Sequence, residues 1–363
     1  MSLTQQQVEA RLAQVVDPWT GKDYVSGREA RDIRVDGNDV SLSIVLGYPA
    51  RSVIETVRQQ VVEAMRELPG VGRVDVAVSM RIVAHQVQRG VKLLDGVRNV
   101  IAVASGKGGV GKSTVAVNLA LALAAEGARA GILDADIYGP SQPTMLGLGN
   151  QRPASKDGKS IEPMQAHGVQ AMSIGFLIDP EQPMVWRGPM ATQALEQLVR
   201  DTRWNDLDYL IVDMPPGTGD IQLTLAQKVP VTGAVIVTTP QNIALLDARK
   251  GLKMFQKVNV PILGVVENMG LHLCSNCGHE EHIFGEGGGG RMAQDYDVAL
   301  LGTLPLDGRI RAQADSGTPT VVADPDSRPA QIYRDIARRV AVRIAELQRD
   351  TTAIFPKIVI QNT

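Results

Sequence analysis

Cysteine is almost absent from this chain: its 363 residues hold two, Cys274 and Cys277. So few thiols exclude a disulfide framework, and their close spacing points instead to metal or redox chemistry. An excess of charge of one sign is also missing. Lys and Arg number 37 against 39 Asp and Glu, a formal net charge of -2. That balance gives no support to bulk electrostatic binding of nucleic acid. No apolar run is long enough to span a bilayer, and MSLTQQQVEARLAQ lacks the basic-then-apolar order of a signal peptide. The expectation is a cytoplasmic protein with neither nucleic acid nor membrane as partner. With 44% hydrophobic and 21% charged residues, the composition is that of a soluble globular chain. Its length suits two domains, or one large α/β domain and a small one.

Residues 4–15 read as a short helix. Two runs, 29–35 and 39–46, flank Asp36-Gly37-Asn38 and form a β-hairpin pattern ended by Pro49. The stretch 51–67 places Val53, Ile54, Val57, Val61, Ala64 and Met65 on one side of a helix. A strand follows Pro69-Gly70, closing a small N-terminal α/β domain over 1–82. Residues 83–97 read as a linker, and 98–363 as a second domain. There, short apolar runs (NVIAVAS, 130–135, 208–213, 233–239 and 261–267) alternate with helical stretches at about 190–201, 220–228 and 242–257. A final helix covers 328–348. Alternation of this kind predicts a mostly parallel sheet with helices on both faces.

The run Gly106-Lys107-Gly108-Gly109-Val110-Gly111-Lys112-Ser113-Thr114 fits G-x-x-x-x-G-K-S/T, directly after one predicted strand and opening a helix. Glycines let backbone N–H groups curl around phosphate oxygens without side chains in the way. Lys112 is then expected against the β and γ phosphates of ATP, and Ser113 as a ligand of Mg²⁺. The helix N-terminus adds a favourable partial positive charge. This predicts a P-loop NTPase.

Asp134 and Asp136 stand in ILDADIYGPS at the end of the next strand, where the crevice of a parallel sheet binds ligands. One could orient the attacking water and the other support Mg²⁺; capping of the turn before Gly139-Pro140 suits either as well. Asp213 closes DYLIVD, the Walker B pattern that supports the metal shell. Gly217 and Gly219 follow in a loop able to move with the γ-phosphate, and Asp220 reads as a helix cap. Asn268, in VVENMG, has an amide that can pair with the N6/N7 edge of adenine, or can sit in a turn before Gly270.

Three readings fit Cys274-Ser275-Asn276-Cys277. A thioredoxin-type pair is weak, because that motif opens a helix after a strand, whereas this one lies in a polar, glycine-rich insertion. A zinc ion would take both cysteines and two of His272, His279 and His282. A [4Fe–4S] cluster takes four thiolates, which two copies of the chain supply at a two-fold axis. By spacing alone, zinc and cluster stand level.

The glycine loop resembles the deviant Walker A, KGGVGK[S/T], of septum-site, partition, arsenite-pump and nitrogenase iron-protein ATPases. In that family the extra lysine reaches the partner's nucleotide across a dimer, which implies that Lys107 acts in trans on the transferring phosphoryl group, with Lys112 and Asp136 as the other catalytic residues. WRGPM (186–190), DYLIVDMPPGTGD (208–220), VTTPQ (237–241), GVVENMG (264–270), the cysteine pair, IFGEGGG (283–289) and LGTLPLD (301–307) occur in order. Together they resemble the Mrp/ApbC branch of iron–sulfur cluster carrier ATPases over roughly 98–320. The resemblance implies a homodimer, with Cys274 and Cys277 bridging a [4Fe–4S] cluster for apo iron–sulfur proteins, and cluster-assembly scaffolds as further partners. It also implies that Asn268, Pro305 and Asp307 lie near the base.

Residues 1–82 resemble the small domain found alone in cytosolic iron–sulfur assembly proteins. Where several relatives carry a cysteine before proline, this chain has Gly47-Tyr48-Pro49, so a docking or regulatory module is expected there. A zinc-stabilised regulatory ATPase of the septum-site type is the alternative function. A membrane-binding switch would need a basic amphipathic tail, and TTAIFPKIVIQNT carries only Lys357. An electron donor like nitrogenase iron protein would draw its ligands from well-separated cysteines.

Overall fold

The computed structural model describes residues 3–88, 90–178, 188–274 and 276–348. Trp186 and Arg187 of the WRGPM motif, and the tail TTAIFPKIVIQNT, lie outside the described residues.

The chain opens with α1 (Gln5–Leu12), started by a capping box in which Thr4 and Gln7 satisfy each other's backbone N–H groups. Next come β1 (Ala30–Asp36), β2 (Asp39–Leu46), α2 (Ile54–Arg66) and β3 (Val74–Met80). The hairpin of β1 and β2 turns at Gly37, where a φ of 60° favours glycine. β3 returns parallel to β2 by way of α2, whose Val57, Val61, Ala64 and Met65 are buried. Tyr48 is fully buried, and its hydroxyl donates to the Asp17 carboxylate at 2.7 Å. The residue before Pro49 is therefore built here into a buried phenol–carboxylate pair.

The remainder runs β4 (Val97–Ala104), α3 (Lys112–Ala125), β5 (Ala130–Asp134), α4 (Gln142–Met145), β6 (Met164–Ala166), β7 (Val169–Ser173), α5 (Gly188–Asp201) and β8 (Leu207–Asp213). It continues with α6 (Asp220–Lys228), β9 (Gly233–Thr238), α7 (Asn242–Lys257), β10 (Ile262–Leu273), β11 (Glu280–Glu281), α8 (Gly288–Asp295) and β12 (Leu300–Leu306). α9 (Gly308–Asp315), α10 (Thr320–Ala323) and α11 (Arg328–Ala345) complete it. Among the described residues the sheet has nine strands in the order β11-β10-β9-β4-β8-β5-β7-β6, with β12 also on β10. β12, β10, β9, β4, β8, β5 and β7 are parallel, and only β6 and β11 pair antiparallel. Every residue of β5, β8 and β9 is buried, as strands covered on both faces require. α3 packs with α10 and α11, whereas α5, α6, α7 and α8 pack side by side as a second group.

The small domain rests on the far end of α3. Glu126, just past that helix, accepts from the Ser52 hydroxyl and backbone N–H and pairs with Arg338 of α11 at 3.1 Å. The Arg338 guanidinium also donates to the Ser52 hydroxyl at 2.8 Å and lies 4.2 Å from the centre of the Trp19 ring. The Glu126 and Arg338 side chains are 2% and 4% exposed, so neither charge has water to fall back on. The segment between β3 and β4 is itself tied down, since the His85 backbone N–H donates to Asn99 at 3.2 Å. Arg338→Ala strands the Glu126 charge in the interface and is expected to destabilise the protein by about 3–5 kcal/mol. The check is the midpoint of urea unfolding; an unchanged midpoint would mean that the pair contributes nothing.

Candidate nucleotide site and cysteine hairpin

β4 occupies the middle of the sheet and delivers the glycine loop to its C-terminal edge. Gly111 is in the left-handed region (φ 81°), and α3 starts at the next residue with no side-chain cap, so its first N–H groups remain open for an anion. Gly106 is required by close approach: a Cβ there would lie 2.1 Å from the Asp247 carbonyl carbon. Asn268 braces the loop from β10, its Nδ2 donating to the Val110 carbonyl at 2.9 Å while its Oδ1 accepts from the Met269 N–H at 3.0 Å. Both ends of that amide are thus engaged with backbone. Lys107 is half-buried, and its carbonyl accepts from the Ser105 hydroxyl at 2.9 Å. Thr114 turns with the helix, its carbonyl accepting from Asn118.

Lys112 is 6% exposed and points at the strand ends. Its ammonium donates to the Ser113 hydroxyl at 3.0 Å and forms a short ion pair with the fully buried Asp213. Asp213 and Asp134 are direct neighbours in the register of β8 and β5. Asp134 accepts from the backbone N–H groups of Asp136, Ser141 and Gln142 and from the Ser173 hydroxyl. It pins down the loop from β5 to α4. Burial first, and the Asp213 charge second, raise the Asp134 carboxyl above the usual range, against the pull of those N–H groups and of Lys112. Asp136 is half-buried, and desolvation raises it too, while Lys112 opposes the shift.

Gln142 went unnoticed in the sequence, yet its side chain joins this cluster. Its Nε2 donates to the second oxygen of Asp213 at 2.9 Å and to the Ser113 carbonyl at 3.1 Å. A neutral amide at the start of a short helix carries no sequence signal of that kind. Glu267 was also missed: buried midway along β10, it accepts from the Gly289 N–H and so ties the glycine-rich start of α8 to the sheet. Pro305 lies in β12 opposite Leu271, and Asp307 caps α9 and pairs with Arg309, which holds its carboxyl below the usual range.

The donor set fits Mg²⁺. A hydroxyl and a carboxylate, hard oxygen donors, already share one cation here, the Lys112 ammonium.

The cysteines cap a hairpin that extends β10 beyond the sheet edge. β10 and β11 pair at His272–Glu281 and Leu273–Glu280. The turn is closed by the Cys274 N–H on the His279 carbonyl and the Gly278 N–H on the Cys274 carbonyl, each at 2.9 Å. Cys274 is half-buried and Cys277 exposed. The Cys274 thiol is lowered, first by the backbone N–H of Cys277, then by that of Asn276 and by the Cys277 side chain. His272 and His282 each place Nδ1 on a backbone carbonyl, of Leu306 at 3.0 Å and of Gly270 at 2.7 Å. Among the described residues, no group of three or more Cys, His, Asp or Glu side chains is gathered as one metal site. No described helix is long and apolar enough to cross a membrane.

A family model described as NUBPL iron-transfer P-loop NTPase matches residues 96–341, and one described as iron-sulfur cluster assembly protein matches 5–76. The chain is 62% identical over 275 residues to an iron-sulfur cluster carrier protein of Pseudomonas fragi, covering 76% of this chain and 96% of that one. An iron-sulfur cluster carrier protein of Escherichia coli K12 is 54% identical, with 84% and 82% covered. Among solved structures, the nucleotide-binding protein of Archaeoglobus fulgidus in complex with ADP is 38% identical at a TM-score of 0.55, covering 61% of this chain and 88% of that one. The cell division ATPase MinD of Pyrococcus furiosus, 23% identical at a TM-score of 0.52 with 67% and 98% covered, shares the fold.

Proposed function

We propose, from the premise that the chain belongs to the family of NUBPL iron-transfer P-loop NTPases, that it binds and hydrolyses ATP and carries a [4Fe–4S] cluster between two copies for delivery to apo-proteins. The observation that carries this reading is the pair of sites at one sheet edge. A glycine loop with open helix N–H groups stands beside β10, and β10 runs on into an outward cysteine turn. In the nucleotide site, residues 106–114 cradle the phosphates, Lys112 meets the β and γ oxygens, and Asp136 orients the attacking water. Ser113 and Asp213 hold Mg²⁺, which neutralises phosphate charge when bound. Lys107 serves the partner's nucleotide across the dimer. Asn268 braces the loop, and with Pro305 and Asp307 it lines the base end.

The cluster is cargo. Two thiolates per chain supply half of its ligands, so a second copy completes the set. The lowered Cys274 thiol provides a ready ligand. The zinc-stabilised regulatory alternative finds no support in the names of the relatives, which are cluster carriers. Nucleotide acts on the cargo only if its affinity differs between dimer states that hold the cluster differently. The test is cluster transfer to an apo-ferredoxin with ATP, with ADP or with no nucleotide. Rates that depend on nucleotide, and lose that dependence in Lys112→Ala, are the expected result. Equal rates throughout would remove the coupling.

A further inference from the structure

Gln142 is 1% exposed and stands where three parts of the nucleotide site meet. Its backbone N–H donates to Asp134 at 3.0 Å, and its side-chain Nε2 reaches Asp213 at 2.9 Å and the Ser113 carbonyl at 3.1 Å. Both partners of Nε2 are acceptors, so only the NH₂ edge of the amide can face them. That orientation leaves Oε1 on the other edge, buried and without a hydrogen-bond partner among the described residues. A buried acceptor left unsatisfied is unfavourable, because it has given up water and gained nothing in return. The arrangement makes sense where a donor arrives with the ligand.

We propose that Gln142 is a positioning residue for the divalent cation: its NH₂ edge orients Asp213, and its free Oε1 accepts from a water of the cation's shell. The inference rests on the nucleotide reading above and adds to it the first residue of α4. Two features support it. Lys112 holds one oxygen of Asp213 and Gln142 holds the other, so when the ammonium leaves for phosphate the amide is the side-chain donor among the described residues that keeps the carboxylate in place. The main chain of Gln142 is anchored on Asp134, the register neighbour of Asp213, so the amide cannot drift away from the pair. Partners that orient metal-supporting carboxylates commonly influence metal affinity about 10–100-fold.

The test uses the full chain and a fluorescent ADP analogue, titrated in EDTA and then with increasing Mg²⁺. Gln142→Ala is expected to leave affinity in EDTA within roughly twofold of wild type and to raise the Mg²⁺ concentration at half-effect about 10-fold or more. Gln142→Glu keeps an acceptor but turns a carboxylate toward Asp213, so its Mg²⁺ response should be weaker still at neutral pH. A Mg²⁺ midpoint unchanged in Gln142→Ala would overturn the proposal. So would equal weakening with and without the metal, which marks a plain scaffold. Affinity in EDTA also reports that each variant is folded. Wild-type protein that bound no nucleotide in either condition would overturn the nucleotide reading itself, a result distinct from both.

Discussion

Lys112→Ala is expected to lower ATP hydrolysis by about two to three orders of magnitude, the scale on which preorganised charge acts on a transition state. The ammonium is already in place at the head of α3, buried and held between Ser113 and Asp213. On the proposed reading, loading exchanges its Asp213 contact for phosphate oxygens. Removing it takes away a phosphate contact and also leaves Asp213 without its counter-charge. The variant should therefore lose thermal stability as well as activity, in part because, among the described side chains, Gln142 is what remains on that carboxylate. Lys107→Ala separates the two effects. Its side chain is outside the buried pair, so stability and single-chain nucleotide affinity should stay near wild type. Hydrolysis should still fall by about a hundredfold if the lysine serves the partner's nucleotide. A concentration series sharpens the comparison: wild-type specific activity rises as chains pair, and that rise should be missing in Lys107→Ala. Specific activity independent of concentration in wild type would sink the shared site.

Much of this was legible because the decisive elements are unambiguous in composition. β5, β8 and β9 are short apolar runs, and all their residues prove to be buried on both faces. The β1–β2 hairpin and α2 followed from alternation and from helical spacing, with ends shifted by a few residues. β7 escaped notice because its five buried residues include Gln170 and Ser173, polar groups whose partners come from Asn205 and Asp134, far off in sequence. β12 read as a motif, and its Gly302 and Pro305 argue against a strand. Gly302 is needed where Ile336 of α11 comes down on the sheet, since a Cβ would meet it at 2.7 Å. Pro305 is tolerated because, among the described residues, β12 pairs on one side only, with β10. The glycine loop was readable for the opposite reason, since phosphate binding by backbone leaves a local pattern. The capping role of Asp134 was readable from its place before the Gly139-Pro140 turn, whereas Gln142 was not, because its role exists only once β8 and the start of α4 converge.

Cys274→Ser and Cys277→Ser should each abolish cluster binding while leaving the fold intact. The turn is closed by backbone bonds, Cys274 to His279 and Gly278 to Cys274, that a serine does not disturb. Serine at 274 can also accept from the N–H groups that now lower the thiol. What it cannot supply is a soft thiolate for iron. Anaerobically reconstituted wild type should hold about four irons and four sulfides per dimer and be brown, and either variant should be colourless with iron near zero. In the proposed dimer-bridging cluster, loss of one thiol per chain removes two ligands of the four. A mixed dimer of wild type and variant keeps three, and should bind weakly enough to lose iron to a chelator first. His279→Ala and His282→Ala set the control. His282 already bonds the Gly270 carbonyl, and His279 contributes its backbone to the turn, so iron content should not change. One zinc per chain in colourless wild type, lost in the histidine variants, would instead establish the mononuclear site. The outcome also bears on the glycine loop, because iron that appears only in the dimer ties the cysteine turn to the pairing that Lys107 implies.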